Sequence, residues 1–185
     1  MSGLPHYNNS KAAVNKYEPV TVNMFDVTLF TPDGDDAALM LEHVRSISGL
    51  GLEQSWDPIN QKYKQADRSY AGIPGQTYID VTITFTLNLN DANENYIYNA
   101  LRRWRNRVWN PLTGEMGLKK DYCGSALIVM YNRVGDVYRK IVLKDIFPHG
   151  EMNNLDELNY DTADATELAV IFRCDNWDDT SNGLT

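Results

Sequence analysis

The chain has 185 residues and a formal net charge of −8 at pH 7. This length fits one domain that can bury a substantial core. The acidic balance argues against a protein that grips nucleic acid, because tight binding to phosphates relies on Lys and Arg. No segment approaches the roughly 18 consecutive apolar residues that span a bilayer, and the first residues lack the charged and apolar parts of a signal peptide. We therefore expect a soluble protein made in the cytoplasm, without a membrane segment.

The chain is expected to begin with an N-terminal arm over residues 1–22, a polar stretch without sustained periodicity. A first strand is predicted at Met24 to Phe30, where apolar and polar residues alternate with the period of a half-buried sheet. Turn-forming residues from Thr31 to Asp36 end this strand. The domain itself is therefore expected over residues 23–178.

The next apolar stretch, from Ala38 to Leu52, is compatible with two structures. Gly49 and Gly51 indicate a bulge or a tight bend within an extended segment. A helix from Ala37 to Val44 is the alternative. We favour a strand.

Residues 56–77 form a long polar stretch that is rich in Pro and Gly. A loop of this length in a compact domain is usually functional or disordered. It interleaves basic and aromatic residues, namely Lys62, Tyr63, Lys64, Arg68 and Tyr70. Because aromatic side chains are unusual in a solvated stretch, contact with a partner is favoured over a hairpin that meets only solvent.

The segment from Ile79 to Leu89 alternates strictly between apolar and polar residues and therefore predicts a strand. Its apolar face is expected to join the core. The opposite face, which includes Asp80, Thr82, Thr84 and Thr86, is expected to meet water or a polar channel.

A helix is predicted over residues 91–110. Asp91 and Glu94 have the spacing of a capping box at its start, and Asn110-Pro111 favours its end. One stripe of the helix is apolar and should pack on a sheet: Ile97, Leu101, Trp104 and Val108. The helix also carries Arg102, Arg103, Arg105 and Arg107. In an acidic protein, such a set is more often a solvated or subunit-facing surface than a nucleic-acid site.

Closely spaced strands are predicted between Lys119 and Asp178. They lie at Ser125 to Tyr131, Val137 to Pro148 and Glu167 to Trp177, and a polar C-terminal tail is expected over residues 179–185. Together with the preceding elements, they predict a mainly β (α+β) fold. The expected architecture is a β-sandwich or barrel of about eight strands with one packed α-helix.

The sequence contains no grouping of side chains that predicts a reaction. His6, His43 and His149 lack nearby partners at metal-ligand spacing. Cys123 and Cys174 are interpreted as buried apolar groups, with a disulfide between them left open. The acidic residues Asp156, Glu157, Asp161, Asp164 and Glu167 are interpreted as surface charge rather than as an acid and base pair. We therefore predict no enzyme, no metal and no cofactor.

The order and spacing of motifs resembles the tail tube proteins of contractile-tailed bacteriophages and their relatives in contractile injection systems. That family has a basic segment, an apolar strand ending in Tyr, an Ile-x-Leu-Lys strand closed by an aromatic-Pro pair, a Leu-x-x-Leu-x-x-Asp stretch and a strand ending in Asp-x-Trp. The matching segments here are Lys119-Lys120, Ala126 to Tyr131, Ile141 to Pro148, Leu155 to Asp161 and Asp175 to Trp177. A looser correspondence reaches back to Asn23. The family is extended where this chain has Ala38 to Leu52, which is why a strand is favoured there.

The resemblance implies a structural subunit whose sheets join those of its neighbours into a hexameric ring. Stacked rings would form a hollow tube inside a contractile sheath, located in the virion tail and assembled in the cytoplasm of the bacterial host. In this arrangement residues 56–77 supply contacts between rings, the arginine-bearing helix supports subunit contacts, and the polar face with Asp80 and Thr82 lines the bore. The implied partners are further copies of the chain, the sheath, baseplate or initiator and terminator proteins, with the tape measure protein and DNA passing through unbound. An acidic wall would weakly repel DNA.

Two alternatives remain at the level of sequence. The first is the tube of a contractile injection or type VI secretion system, which delivers proteins instead of a genome. The second is a small β-sandwich enzyme or binding module, which would require a concave site with convergent polar groups.

Overall fold

A computed structural model describes residues 23–34, 42–52, 57–64, 66–72, 78–87, 97–150, 152 and 166–181. Within these ranges, nine strands and two helices follow one another along the chain. The strands are β1 (Phe25–Phe30), β2 (Val44–Ser48), β3 (Ile59–Tyr63), β4 (Ala66–Tyr70), β5 (Ile79–Thr86), β6 (Gly124–Tyr131), β7 (Val137–His149), β8 (Glu167–Cys174) and β9 (Asn176–Ser181). The helices are α1 (Ile97–Val108) and α2 (Lys119–Tyr122).

The 13-residue strand β7 joins two parts of the main sheet, one formed with β1, β6 and β9 and the other with β8, β5 and β2. Its first part pairs antiparallel with β6 on one side and with β9 on the other, whereas Phe147 to His149 pair with β8. The strand order is β1-β6-β7-β8-β5-β2, with β9 attached to β7. Strands β3 and β4 form a separate two-stranded sheet.

The main sheet bends where β7 changes partners. The register between β6 and β7 shifts next to Asp145, which has a φ of 55°. On the neighbouring strand, only Asp175 separates β8 from β9, and it carries an ion pair with Lys119 of α2. A bulge of this kind bends a strand and increases its twist, so both strands turn the corner together.

The core lies between the inner faces of the sheet and α1. On β5, Val81, Ile83 and Phe85 are buried while the residues between them are not, which is the alternation that the sequence predicts. The apolar stripe of α1 packs against this layer, and the Trp104 ring lies 5.4 Å from the ring of Phe172 on β8. These contacts fix the helix on the inner side of the β5–β8 sheet.

Close backbone packing holds the end of β6 beside the helix. A Cβ atom added to Gly124 would lie 2.4 Å from the carbonyl oxygen of Phe30 and 2.8 Å from the Trp104 ring. The indole Nε1 of Trp104 donates a hydrogen bond of 2.7 Å to the carbonyl oxygen of Tyr122. Trp104 therefore joins α1, α2 and β8 in a single contact region.

The mainly β fold with one packed helix is confirmed. The strands predicted around Phe25 to Phe30, Ile79 to Thr86 and Gly124 to Tyr131 are present. The predicted helix is present as α1, which ends at Val108, just before the predicted stop. Its expected capping box at Asp91 and Glu94 lies outside the described residues.

The structure also differs from the sequence interpretation. A strand from Ala38 to Leu52 is wrong at Glu42 and His43, which have helical backbone, so the extended segment is only Val44–Ser48. Lys119–Tyr122, which includes the basic segment that precedes the predicted strands, forms the short helix α2. The last predicted strand is divided at Asp175, and its second part continues to Ser181, into the segment expected to be a polar tail. None of the helices in the described part of the chain is long and apolar enough to cross a membrane.

We predict that Trp104→Ala lowers the free energy of unfolding by about 3–5 kcal/mol, because a fully buried indole is replaced by a cavity. Trp109→Ala is the matched control, because this tryptophan directly follows α1 and is 47% exposed. It should lower the free energy of unfolding by less than about 1 kcal/mol. Urea denaturation followed by circular dichroism measures both. Equal destabilisation by the two substitutions would contradict the packing described for Trp104.

Candidate assembly surfaces

Strands β3 and β4 form an antiparallel hairpin whose residues are all exposed. It occupies the stretch that the sequence singles out for partner contacts. Lys64 follows β3 with a φ of 54°, the left-handed conformation typical of tight turns. An isolated two-stranded hairpin is at best marginally stable in water. Packing against another surface would therefore stabilise this hairpin.

The two faces of the hairpin differ in polarity. The register places Ile59 opposite Tyr70 and Tyr63 opposite Ala66, on the face that also carries Arg68. Ile59, Tyr63 and Tyr70 are 55%, 70% and 48% exposed, respectively. The other face pairs Lys62 with Asp67. The predicted contact residues are therefore divided between an apolar face, the turn and a charged face.

The predicted polar face of β5 is present. Asp80 is exposed, whereas Thr82, Thr84 and Thr86 are half-buried. Because β5 lies between β2 and β8, their side chains share this face with residues at the paired positions: Ser46, Ser48, Ala169 and Ile171. Hydroxyl groups therefore lie on β2 and β5 on this side of the layer, whereas β8 contributes Ala169 and Ile171.

A cluster of charged and aromatic residues ends this polar face. The Arg173 guanidinium donates to both oxygens of Asp80, with Nε–Oδ1 and Nη2–Oδ2 distances of 3.0 and 3.2 Å. The Nε2 of His149 lies 3.2 Å from Asp80 Oδ1. The Arg173 guanidinium also lies over the ring of Tyr78, 4.0 Å from its centre, in a cation–π contact.

Electrostatics within this cluster offset the charge of Asp80. The hydrogen bond from Arg173 is the main reason that the pKa of Asp80 is lowered from its ordinary value of 3.8, although burial acts in the opposite direction. The same hydrogen bond raises the pKa of Arg173. At neutral pH, the carboxylate of Asp80 and the guanidinium of Arg173 offset each other, so the pair adds no net negative charge to this face.

His149 has an acidic neighbour in the fold that its sequence surroundings did not indicate. Asp80 lies 69 positions earlier in the chain, and the pairing of β5, β8 and β7 brings the two side chains together. No local motif signals such a contact. Only the sheet register, which sequence spacing does not reveal, could have identified it.

All four arginines of α1 are exposed, but they have different surroundings. Arg107 forms an ion pair with Asp33, in the turn that follows β1. Arg102 and Arg105 line a groove of about 370 Å³ together with aromatic and apolar residues. The structure therefore does not gather the predicted subunit-contact arginines into one contact.

The described structure leaves sheet edges open. In the part of the chain that the structure describes, β1 pairs only with β6 and β2 only with β5. Strand β9 is also an edge, but Arg139 and Lys144 form ion pairs there with Asp179 and Asp178. Charged side chains discourage an edge from pairing with another chain. The edges at β1 and β2 are therefore the better candidates for joining a neighbour.

The described residues offer little to a reaction or a metal. Among them, no group of three or more His, Cys, Asp or Glu side chains could hold a metal ion. Cys123 and Cys174 are both free thiols, which resolves the disulfide that the sequence left open. Burial raises the pKa of each thiol, so both favour the unreactive protonated form. Cys174 is fully buried at the corner between β8 and β9, as expected for an apolar group.

The fold matches solved structures of contractile injection systems. The tube-terminating cap of the anti-feeding prophage matches with a TM-score of 0.61 and 16% identity, over 89% of this chain and 93% of that one. A chain of the sheath–tube complex of the extracellular contractile injection system PVC gives 0.58 and 16%, over 93% and 97%. Its sheath/tube terminator gives 0.58 and 13%, over 90% and 99%. At these identities, the likeness shows a shared fold.

Sequence comparisons add nothing to this result. No family model matches the chain, and no curated protein does. The similar structures are parts of contractile injection systems. The predicted resemblance to contractile tail tube proteins is therefore supported at the level of the fold.

We predict that Asp80→Asn lowers the free energy of unfolding at pH 7 by about 0.5–1 kcal/mol, a small value because the Asp80 side chain is 41% exposed. A lowered folded-state pKa contributes stability above 3.8 that is lost as the pH falls through the folded value. The difference between wild type and variant should therefore shrink below about pH 4. Urea denaturation from pH 7 to pH 2 measures it, with Asp121→Asn as a control. A difference that persists at pH 2 would contradict the ion-pair account.

Proposed function

We propose that the chain is a structural subunit of a contractile tail or injection particle, and that copies of it form stacked rings around a hollow bore. The observation that carries this proposal is the fold shared with the anti-feeding prophage cap over about nine-tenths of both chains, at a TM-score of 0.61. The sequence motifs that resemble tail tube proteins support it independently. The subunit is a building block, and no catalytic step is assigned to it.

Open sheet edges supply the physical basis of a ring. The outer sides of β1 and β2 carry backbone amides and carbonyls that pair with nothing in the described residues. Such edges pair readily with a further strand, and head-to-tail contacts between identical copies close into a ring when the rotation allows it. We propose that neighbouring copies join through these edges. Six copies per ring follows from the family resemblance.

The hairpin of β3 and β4 is suited to contacts between successive rings. Its apolar face exposes Ile59, Tyr63 and Tyr70, which lose water when they pack on another subunit. Arg68 lies on the same face, and Lys64 lies at the turn. Aromatic and Arg side chains dominate the binding energy of many protein interfaces.

The polar face of β5 is suited to line the bore. Thr82, Thr84 and Thr86 present hydroxyl groups without a run of positive charge that would bind DNA. The ion pair between Asp80 and Arg173 keeps the end of this face electrically balanced. A cargo such as DNA, a tape measure protein or an injected protein could pass such a wall without tight binding.

In this proposal the subunit occupies the tube of a phage tail, in contact with a sheath, a baseplate initiator and a terminator, after assembly in the bacterial cytoplasm. Three matching structures come from injection systems rather than phages. They favour a second candidate of the same class, a tube or terminating ring of an injection particle. A repeating subunit forms tubes of open length from purified protein, whereas a terminating ring stops at a single layer.

We predict that Tyr63→Ser/Tyr70→Ser blocks the stacking of rings without unfolding the subunit. Both aromatic side chains are exposed in one copy, so their loss removes contacts that form only on assembly. The association constant between rings should fall by a factor of about 100 or more, at roughly 1.4 kcal/mol or more per residue. Negative-stain electron microscopy and sedimentation velocity measure tube length and ring mass.

The matched control is Asn60→Ser/Ser69→Ala, which changes a cross-strand pair on the opposite face of the same hairpin. It should leave tube length unchanged. Tubes of normal length from the tyrosine variant, or equal loss of tubes from both variants, would contradict a contact through the apolar face.

A further inference from the structure

A groove beside α1 is not used by the edges, the hairpin or the polar face. It has a volume of about 370 Å³. Arg102 and Arg105 lie three residues apart on one flank of α1, and Trp109 directly follows the helix, with its backbone amide bonded to the carbonyl oxygen of Arg105. The groove is lined by Tyr98, Arg102, Arg105, Asn106, Trp109, Pro111 and Met152. We call this surface the arginine groove.

Arg102 and Arg105 differ from four other arginines of the chain in their ion pairs. Arg45, Arg107, Arg139 and Arg173 each form an ion pair with a carboxylate. In the described ranges of the chain, no carboxylate forms an ion pair with Arg102 or Arg105. Two unpaired guanidinium groups beside aromatic rings are well placed to bind a carboxylate together with an apolar side chain.

Exposed apolar residues lie in the loop that follows the helix, which also supplies Trp109 and Pro111 to the groove. Trp109, Leu112 and Met116 are 47%, 94% and 75% exposed, respectively. Backbone hydrogen bonds hold this loop in place, from Asn110 to Glu115 and from Gly117 to Val108, at 3.0 and 3.1 Å. An apolar surface that a rigid loop holds in water indicates an interaction site.

The position of α1 determines which side of the subunit the groove belongs to. Trp104 packs on Phe172, whose side chain points to the inner face of β8. Thr82 and Thr84 lie on the opposite face of the same sheet, because they alternate with the buried residues of β5. The helix and the threonine face are therefore separated by the sheet. If the threonine face lines the bore, then the arginine groove lies on the side away from the bore.

We propose that the arginine groove binds an acidic segment of the protein that surrounds the tube, with carboxylates on Arg102 and Arg105 and an apolar side chain against Trp109. This inference rests on the proposed function, which puts a sheath outside the ring. The two guanidinium groups favour an acidic occupant, and the position of the groove opposite the threonine face favours the sheath over a cargo in the bore. A second copy of the chain is the competing occupant, and its binding would make the groove a ring contact.

The test compares Arg105→Glu with Arg133→Glu. Both reverse one exposed arginine, but Arg133 lies in the turn between β6 and β7, outside the groove. Binding of the purified sheath protein from the same particle is titrated by biolayer interferometry, on assembled tubes and on soluble subunit. We expect Arg105→Glu to weaken binding at least about tenfold, because it puts a negative charge opposite the partner's carboxylates. Arg133→Glu should change binding less than about twofold.

The remaining outcomes separate the possibilities. Unchanged sheath binding by both Arg105→Glu and Trp109→Ser would overturn the inference. Loss of rings by a folded Arg105→Glu subunit would also overturn it, because the groove would then hold a second copy. Circular dichroism verifies the fold of each variant. If wild-type protein forms no rings, then the proposed function fails, while the titration on soluble subunit still decides whether the groove binds an acidic partner.

Discussion

Backbone hydrogen bonding through the single strand β7 holds both halves of the sheet together, and the rest of the structure depends on it. The strand pairs with β6 up to Ile146 and with β9 up to Lys144, and it pairs with β8 from Phe147 onward. This change of partner bends the sheet around the core and places α1 against the inner side. It also leaves the outer strands β1 and β2 with unpaired edges in the described residues. Because unpaired edges attract further strands, the fold of one copy favours association with another.

The three candidate surfaces differ in chemistry in ways that suit different contacts. The hairpin offers exposed aromatic residues, and the face of β5 offers hydroxyl groups and an ion pair. The groove beside α1 offers two arginines that pair with no carboxylate among the described residues. The sheet separates the second surface from the third. This difference between the two sides of the sheet supports the proposal that the subunit forms a wall between a bore and an outer layer.

The sequence predicted those features that depend on local periodicity. The alternation around Val81 and the stripe through Trp104 each produce a pattern that the burial in the structure reproduces. The resemblance to tube proteins, carried by the motifs between Lys119 and Trp177, agrees with the fold. These predictions succeeded because the core selects residues at fixed intervals along an element.

Features that depend on distant partners were not predictable. The contact of His149 with Asp80 follows from sheet register, and the bend at Asp145 follows from a backbone conformation that residue types do not specify. The helical backbone at Glu42 matches the alternative that the sequence left open there and not the favoured strand, because short apolar runs fit a strand and a helix equally well. Contacts of the edges and surfaces with other copies form between molecules, so the sequence of one copy does not reveal them.

Cryo-electron microscopy of the assembled particle tests these contacts directly. The account predicts a hydrogen-bonded ladder of strands that runs from one copy into the next around an open bore. Edges of β1 and β2 that are covered by their own chain, with no bore in any oligomer, would contradict it.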